Sequence, residues 1–342
     1  MLKVFADQHH FSLYNSLKML FEDRLGGILY RPIGRDWLDK GYWRIAEIYN
    51  NHPFTVAQYL GIHDDYVDED GVYRIWENGH KFYQNAVTID RFFREPIDIV
   101  IATVPEHIES FKRLCEQHPN HPKFIYQIGN AWPVEAGIAP NIMASAKIAN
   151  VPGNINFIEY HQEFDTNIFC PSVGEPGNNI YSFINCLNTA SIYEKDWPLF
   201  TGLEQAMPDW TWRTFGGSCR DGECNGQEAV ANKMRKARFI WQVKNLGDGY
   251  GHVLHNALAV GRPLIIKKQY YIGKMAEPLL IDNVTCIYID DLSYPQIVDK
   301  IVYNSDPERY AAMCKVAYNT FKQYVDFDRE QKDIEVFLSK LV

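Results

Sequence analysis

Short apolar runs alternate with amphipathic segments along the first half of the chain. The run LKVFA (2–6) is followed by a polar loop and by a helical pattern that ends at Gly26-Gly27. The β-branched run IDIVIATV (97–104) is typical of a strand buried on both faces, and an amphipathic helix follows it. Because strands and helices alternate, this half predicts a β/α domain, whereas residues 30–95 are predicted to be irregular. Further strands are predicted at KFIYQIG (123–129), NIMAS and INFIEYH.

A second series of strands and helices begins after FCPSVGEPGNN (169–179), a segment whose prolines and glycines are typical of a linker. The tail from Pro307 to Val342 has the pattern of two or three helices. The second half therefore predicts a second Rossmann-like domain. Its strands are predicted at IYSFINCL, TWRTFGG, FIWQV and PLIIKK, and its helices at WPLFTGLEQAMP, QEAVANKMRKA and the end of GDGYGHVLHNALAVG.

Two Rossmann-like domains joined by one linker predict a cleft between them. In open α/β sheets the ligand lies beyond the carboxyl ends of the strands. Functional side chains are therefore expected in the loops that follow strands, namely DQHH, residues 104–107, GNAW, residues 186–195, FGGS and KNLGDGYGH.

The composition is that of a globular protein, with 46% hydrophobic and 23% charged residues. The net charge is −9 and no basic block stands out, which disfavours a nucleic-acid partner. Seven scattered cysteines predict neither a disulfide framework nor a metal site. The N-terminus lacks the pattern of a signal peptide, and no apolar stretch approaches the ~20 residues of a membrane span, so a cytoplasmic setting is expected.

Three glycines lie between a predicted strand and a predicted helix in KNLGDGYGHVLHNALAVGRP (244–263). Glycine permits a positive φ, and the N-terminus of the helix presents unpaired N–H groups that suit a phosphate. Helical periodicity places His252, His255 and Asn256 on a polar face that would look into the cleft. The segment therefore predicts a phosphate-binding loop, and a glycine-rich turn without a ligand is the alternative.

The segment GDGYGHVLHNALAVGRPLI resembles the signature of the retaining GT-B glycosyltransferases of the family-4 kind, in which EGFGLVLLEAMACGRPVI is typical. In that family, two glutamates separated by seven residues contact the transferred sugar and the ribose hydroxyls. Asp248 and Asn256 stand at these two positions. The segment FDTNIFCP (164–171) resembles a second family motif, GVDTxxFxP, which closes the first domain. The resemblance covers most of residues 95–342.

The resemblance implies an α/β fold of the GT-B type, in which two Rossmann-like domains face each other across a cleft. Residues 1–170 would form the acceptor domain, and residues 171–325 the domain that binds the nucleotide-sugar donor. Residues 326–342 would form a helix that packs back on the first domain.

The family carries an Arg and a Lys after the first strand of the donor domain, and they hold the diphosphate. Lys195 is expected to keep the role of the Lys, whereas Asn185-Cys186 occupies the place of the Arg. Lys244 is a candidate for the missing charge. The strand whose loop contacts the nucleobase is trimmed here, so the base is not assigned. The predicted donor-binding residues are Lys195, Gly216, Gly217, Lys244, Gly247, Gly249, Tyr250, Gly251, His252 and Asn256.

The implied activity is transfer of a hexosyl or pentosyl group from a nucleotide-diphosphate sugar, with retention of configuration and without a metal or other cofactor. Asp248 would contact the transferred sugar. An inverting enzyme would instead need a general base in the first domain. The candidates for that base are Asp7, His9, His10 and His107, and the candidates to line the acceptor pocket are Gln8, Asn130 and Trp132.

The acceptor is left open between a glycan, a protein side chain and a modified DNA base, which some viral enzymes of this fold use. Loss of the Arg and the presence of Asn256 also favour a second interpretation, in which a GT-B-shaped binding or scaffold protein has lost catalysis. A sugar epimerase or a phosphorylase of the same fold is a third interpretation.

Overall fold

The structure is a computed structural model in which two compact units are formed by the described residues. Unit 1 comprises Met1–Phe164 and Phe327–Val342, and unit 2 comprises Asp165–Asp326. Each unit is built around one parallel sheet. The described residues are 1–7, 11–33, 36–42, 75–77, 80–82, 85–130, 134–135, 137–172, 174, 176–224 and 226–342.

The strands described in unit 1 are β1 (Lys3–Ala6), β2 (Ile28–Pro32), β3 (Ile75–Glu77), β4 (His80–Phe82), β5 (Asn85–Val87), β6 (Ile99–Ala102), β7 (Lys123–Ile128), β8 (Asn141–Ala144) and β9 (Asn156–Glu159). Seven of them form a parallel sheet in the order β5-β2-β1-β6-β7-β8-β9. The remaining two, β3 and β4, pair with each other as an antiparallel hairpin. Every residue of β6 is buried, as its continuous apolar run predicts.

Helices cover the sheet of unit 1 and bury their apolar faces against it. The first helix continues as a π-helix over Met19–Arg24. The last of this group follows β6 and buries Phe111 and Leu114 in the core, which confirms the amphipathic helix predicted there. The helices are α1 (Phe11–Lys18), α2 (Asp36–Asp39), α3 (Ile89–Phe92) and α4 (Ile108–Gln117).

The prediction that residues 30–95 are irregular is wrong for the described part of that stretch. It contains most of β2 together with β5, which pairs with β2 at the edge of the sheet. Trp37 of α2 is fully buried and stacks on Phe5, with ring centroids 4.9 Å apart. These elements are three to five residues long, so tertiary packing defines them and no local period indicates them.

The five strands described in unit 2 are parallel and lie in the order β11-β10-β12-β13-β14. They are β10 (Asn179–Ser182), β11 (Thr211–Thr214), β12 (Phe239–Trp241), β13 (Leu264–Ile266) and β14 (Cys286–Tyr288), and the helices are α5 (Asp196–Ala206), α6 (Gln227–Lys236), α7 (His252–Ala259), α8 (Tyr294–Asn304) and α9 (Pro307–Tyr324). The predicted succession of strands and helices along the chain is confirmed from β10 to β13. The hydrophobic pattern did not indicate β14 and α8. No helix in the described ranges combines the length and the apolar character that a membrane crossing requires.

The last helix, α10 (Phe327–Leu338), belongs to unit 1, where Ile334 and Phe337 join the core. Arg24 contributes polar contacts to its first turn. The Arg24 guanidinium donates to both Glu163 carboxylate oxygens, at 2.6 and 2.8 Å, and to Asp328 Oδ1 at 2.7 Å. These contacts connect the π-helix, the end of the sheet and α10.

We expect the Arg24→Ala variant to lower the free energy of unfolding of unit 1 by about 1–2 kcal/mol, because Glu163 loses a charge-assisted partner in a partly buried place. Chemical denaturation followed by fluorescence measures this. The matched control is Lys40→Ala, which removes the exposed Lys40–Asp90 pair and should leave the midpoint unchanged. An equal effect of the two variants would contradict the assigned role of Arg24.

Candidate functional site

The sheet of unit 2 has a topological switch point between β10 and β12, because the chain leaves β10 for β11 on one side and returns to β12 on the other. Ligands of open α/β sheets bind at such a point, beyond the carboxyl ends of the strands. The loops there are residues 183–195 after β10 and residues 242–251 after β12. All predicted donor-binding residues lie in these two loops, in the loop after β11, or on α7.

The glycine loop, residues 244–251 before α7, has a backbone conformation that side chains at its glycines would disturb. Gly247 has a φ of 64°, and a Cβ atom there would overlap the carbonyl oxygen of Tyr270. Leu246 has a φ of 66°, which is rare for a residue with a side chain. Gly251 has a φ of 84° and directly precedes α7. Such unfavourable backbone conformations are concentrated in functional loops.

The N-terminus of α7 lies at this edge, directly after the glycine loop. Its first N–H groups have no acceptors within the helix, and the helix dipole adds partial positive charge. Asn256 lies one turn further on and is half-buried. Its Oδ1 is buried, and none of the described residues donates a hydrogen bond to it. An acceptor is therefore present at the position where the resemblance expects a ribose contact.

His255 does not lie on an exposed polar face, so that expectation is wrong. Its ring is fully buried and stacks on Tyr250, with centroids 4.2 Å apart and 2° between the planes. Its Nδ1 lies 3.0 Å from the carbonyl oxygen of Gly251. Tyr250 is also buried and meets the His252 ring edge-on at 4.9 Å. The stack joins the glycine loop to the first turn of α7, a tertiary contact that helical periodicity does not report.

Lys244 and Asp248 form an ion pair within the glycine loop. The Lys244 ammonium donates to Asp248 Oδ1, and Gln242 Nε2 donates to Asp248 Oδ2 at 3.0 Å. Burial lowers the pKa of Lys244, but the charge and the hydrogen bond of Asp248 offset this and leave the pKa above its usual value. Lys244 is therefore kept protonated by Asp248 on the loop that leads into α7.

The loop after β11 is joined to the loop after β10 at the positions where two predicted glycines lie. Asn185 Oδ1 accepts a hydrogen bond from Gly217 N–H at 3.0 Å, and Cys186 N–H donates to the Gly217 carbonyl at 2.8 Å. A Cβ atom at Gly216 would overlap Asn185 Oδ1. Asn185, which the resemblance places where an Arg is expected, holds two loops together here.

The carboxylate of Asp196, which no sequence pattern indicated, connects three loops at this edge. Its Oδ2 accepts a hydrogen bond from Asn245 N–H at 2.8 Å, and its Oδ1 accepts one from the Tyr270 hydroxyl at 3.3 Å. Lys267 Nζ lies 3.9 Å from Oδ1. Burial and the adjacent Asp196 charge raise the pKa of Tyr270 to about 12, which keeps its hydroxyl a donor. The neighbouring Lys195 is exposed and directly precedes α5.

The sheet of unit 1 has its own switch point between β1 and β6, where two of the predicted general-base candidates meet. Asp7 Oδ2 lies 2.5 Å from His107 Nδ1, and the Asp7 carboxylate accepts from Thr103 N–H at 2.8 and 3.0 Å. The His107 ring stacks on Phe111 with centroids 5.1 Å apart. Both members of the pair are buried, with Asp7 1% and His107 2% exposed.

Of the remaining candidate residues in the first domain, only Asn130 is among the residues that the structure describes. Asn130 is exposed and lies just after the end of β7. The candidates that lie outside the described residues are Gln8, His9, His10 and Trp132.

No protein-family model matches the chain, and no curated protein matches its sequence. Solved structures do match. HepE from Anabaena, in complex with UDP and glucose, has a TM-score of 0.67 at 11% identity, with 100% of both chains covered. Sucrose-phosphate synthase from Thermosynechococcus elongatus has a TM-score of 0.64 at 9% identity, covering 100% of this chain and 99% of its own.

An alpha-glucosyltransferase in complex with UDP and a 13-mer DNA has a TM-score of 0.63 at 12% identity, covering 97% of this chain and 98% of its own. At these identities the likeness concerns the fold. It agrees with the two parallel sheets found here and with the fold class that the glycine-loop motif implied. The chain therefore has the α/β fold of the GT-B glycosyltransferases.

Proposed function

We propose that the chain is a glycosyltransferase that moves a sugar from a nucleotide-diphosphate sugar to an acceptor. The observation that carries this proposal is the glycine loop, whose backbone leads into the N-terminus of α7 at the switch point and which carries the Lys244–Asp248 ion pair. Similar structures hold UDP, which supports a nucleoside diphosphate as the ligand. The donor would bind at the carboxyl edge of the unit 2 sheet.

The proposed roles follow from the chemistry of each group. The backbone of Gly249 and Gly251 permits close approach of the diphosphate, and the first turn of α7 supplies N–H donors with His252 as a further one. Lys195, which is exposed beside this edge, would add positive charge. Asn256 Oδ1 would accept a ribose hydroxyl, and because the amide is neutral this contact is weaker than one made by a carboxylate.

The proposed mechanism relies on stabilising charge rather than on a protein nucleophile. Sugar transfer passes through an oxocarbenium-like transition state, and the leaving diphosphate gains negative charge. Fixed N–H donors and ammonium groups stabilise that charge without reorganising at the moment of reaction. We propose that transfer retains configuration and needs no metal, with the acceptor attacking on the face from which the diphosphate leaves.

The Asp7–His107 pair favours inversion as the second candidate mechanism. An aspartate on Nδ1 fixes the neutral tautomer of an imidazole, so that Nε2 is the proton acceptor. We expect proton NMR of the product from an α-linked donor to show the α anomer. A β product would contradict retention, and His107→Ala would then lower kcat by about 100-fold or more, as expected for loss of a general base.

The distribution of charge favours a glycan or a protein side chain over DNA as the acceptor. Unit 1, the proposed acceptor domain, holds 18 of the 34 Lys and Arg residues but 25 of the 43 Asp and Glu residues. Its net charge is therefore −7, which opposes a polyanion. Although one similar structure contains DNA, we place a modified DNA base behind the other two acceptors.

A thermal-shift screen with nucleoside diphosphates, followed by assays of donor hydrolysis, tests the proposed function. We expect at least one nucleoside diphosphate to raise the melting temperature and its sugar conjugate to be hydrolysed slowly in the absence of an acceptor. Binding without any turnover would instead support the binding or scaffold interpretation. If no nucleoside diphosphate raised the melting temperature, the proposal would be contradicted.

A further inference from the structure

Both carboxylate oxygens of Asp248 are already occupied within the chain. Lys244 donates to Oδ1, and Gln242 Nε2 donates to Oδ2 at 3.0 Å. The side chains of Lys244 and Asp248 are 27% and 21% exposed, and Gln242 is only 1% exposed. A buried amide therefore fixes the orientation of the carboxylate, and the carboxylate in turn fixes the ammonium. This arrangement differs from that of a carboxylate left open for a sugar hydroxyl.

We propose that Asp248 is a positioning residue, which holds Lys244 as the diphosphate-binding cation in place of the Arg that this chain lacks. The inference rests on the proposed function and deepens it. Asn185 stands where the Arg is expected, and its Oδ1 is committed to Gly217 N–H. The guanidinium charge is thus missing from the loop after β10, and Lys244 carries a charge on the adjacent loop.

The geometry allows Lys244 to keep Asp248 while it binds an anion. An ammonium has three N–H donors, and the ion pair uses one of them, which leaves two for phosphate oxygens. Lys244 lies on the loop that leads into α7, and the proposed diphosphate would contact both its ammonium and the helix N-terminus. Asp248 is thus needed to keep the long, flexible lysine side chain in one orientation.

The charged surroundings of Lys244 agree with this role. Besides Asp248, the titratable group that faces Lys244 is Tyr193 from the loop after β10, and burial raises the pKa of that tyrosine. Tyr193 is therefore neutral and does not compete for the ammonium. Asp248 supplies the charge and the hydrogen bond that oppose the lowering of the pKa of Lys244 by burial.

The negative charge of Asp248 by itself would repel an anion and weaken its binding, which is the opposite of the proposed effect. If Asp248 only repelled the diphosphate, the isosteric Asp248→Asn change would strengthen binding. If Asp248 contacted only the transferred sugar, the same change would leave binding of a sugar-free diphosphate unaltered. A positioning role predicts weaker binding of that diphosphate.

Isothermal titration calorimetry of the full chain with inorganic pyrophosphate, which has neither a sugar nor a base, separates these cases. We expect Lys244→Gln and Asp248→Asn each to weaken binding about tenfold, as for loss of a charge-assisted hydrogen bond. In the double variant, Asp248→Asn should add nothing to Lys244→Gln, because Asp248 acts through Lys244. Asp248→Glu, which keeps the carboxylate, should restore part of the affinity.

The matched control is Asp282→Asn, which removes the carboxylate of another Lys–Asp pair in unit 2, Lys300–Asp282 at 2.8 Å, and should leave pyrophosphate binding unchanged. Unchanged or tighter binding by Asp248→Asn, or additive losses in the double variant, would overturn the inference while the proposed function stands. Failure of the wild-type chain to bind pyrophosphate and every nucleoside diphosphate would overturn both. Melting temperatures show that each variant is folded.

Discussion

Replacing Gly247 with alanine is expected to abolish binding of the nucleotide-diphosphate donor. The added Cβ atom would overlap the carbonyl oxygen of Tyr270, which is backbone and has no rotamer to change. The glycine loop must therefore move, and the N–H groups before α7 move with it. Displacement of a binding group by about 1 Å can cost about 100-fold. Titration calorimetry with the nucleoside diphosphate that stabilises the wild type measures this loss.

The control for Gly247→Ala is Gly26→Ala in unit 1. Gly26 has a φ of 62°, close to the 64° of Gly247, but a Cβ atom there would meet nothing within 4 Å. Both variants carry the cost of a left-handed residue, about 1–2 kcal/mol of stability. Only Gly247→Ala should lose donor binding. Intact donor binding by Gly247→Ala would remove the glycine loop from the proposed site.

Replacing Asp196 with alanine is expected to lower the free energy of unfolding of unit 2 by about 3 kcal/mol. The change leaves Asn245 N–H and the Tyr270 hydroxyl without their acceptor, and it removes the charge beside Lys267. Donor affinity should fall as well, since Asn245 lies within the glycine loop. Urea denaturation and calorimetry of the same samples measure the two effects.

Two further variants define what the Asp196 carboxylate does. Asp196→Asn keeps an acceptor for Asn245 N–H, and its amide can donate to the Tyr270 oxygen, so we expect a smaller loss than with alanine. Asp299→Ala removes an exposed aspartate on α8 and should change stability by no more than about 0.5 kcal/mol. If Asp196→Ala is as stable as Asp299→Ala, Asp196 does not connect the loops in the way described.

Local sequence was sufficient to predict the elements that carry the proposed donor site. The glycine loop of residues 244–251 and the helix after it are contiguous in sequence. Because glycine adopts a positive φ more readily than other residues, its occurrence at Gly247 and Gly251 indicates the positive φ values found there. The fully buried strand at Ile99–Ala102 is equally local, because its continuous apolar run needs no partner to be recognised.

Contacts between distant residues could not be predicted in this way. Asp196 accepts hydrogen bonds from Asn245 and Tyr270, which lie 49 and 74 residues away in sequence, and none of the residues around Asp196 in the sequence indicates that it is buried. His255 has the spacing of a surface position, yet it stacks on Tyr250 and is fully buried. Tertiary packing also determines which short strands pair with each other, such as β2 with β5.

A crystal of the chain soaked with a mixture of nucleotide-diphosphate sugars tests the donor-site assignment most directly. We expect electron density for a diphosphate at the backbone N–H groups of residues 249–252. Lys244 should then lie within hydrogen-bond distance of a phosphate oxygen and Asn256 beside a ribose hydroxyl. A nucleotide bound elsewhere, with this edge of unit 2 unliganded, would contradict the account.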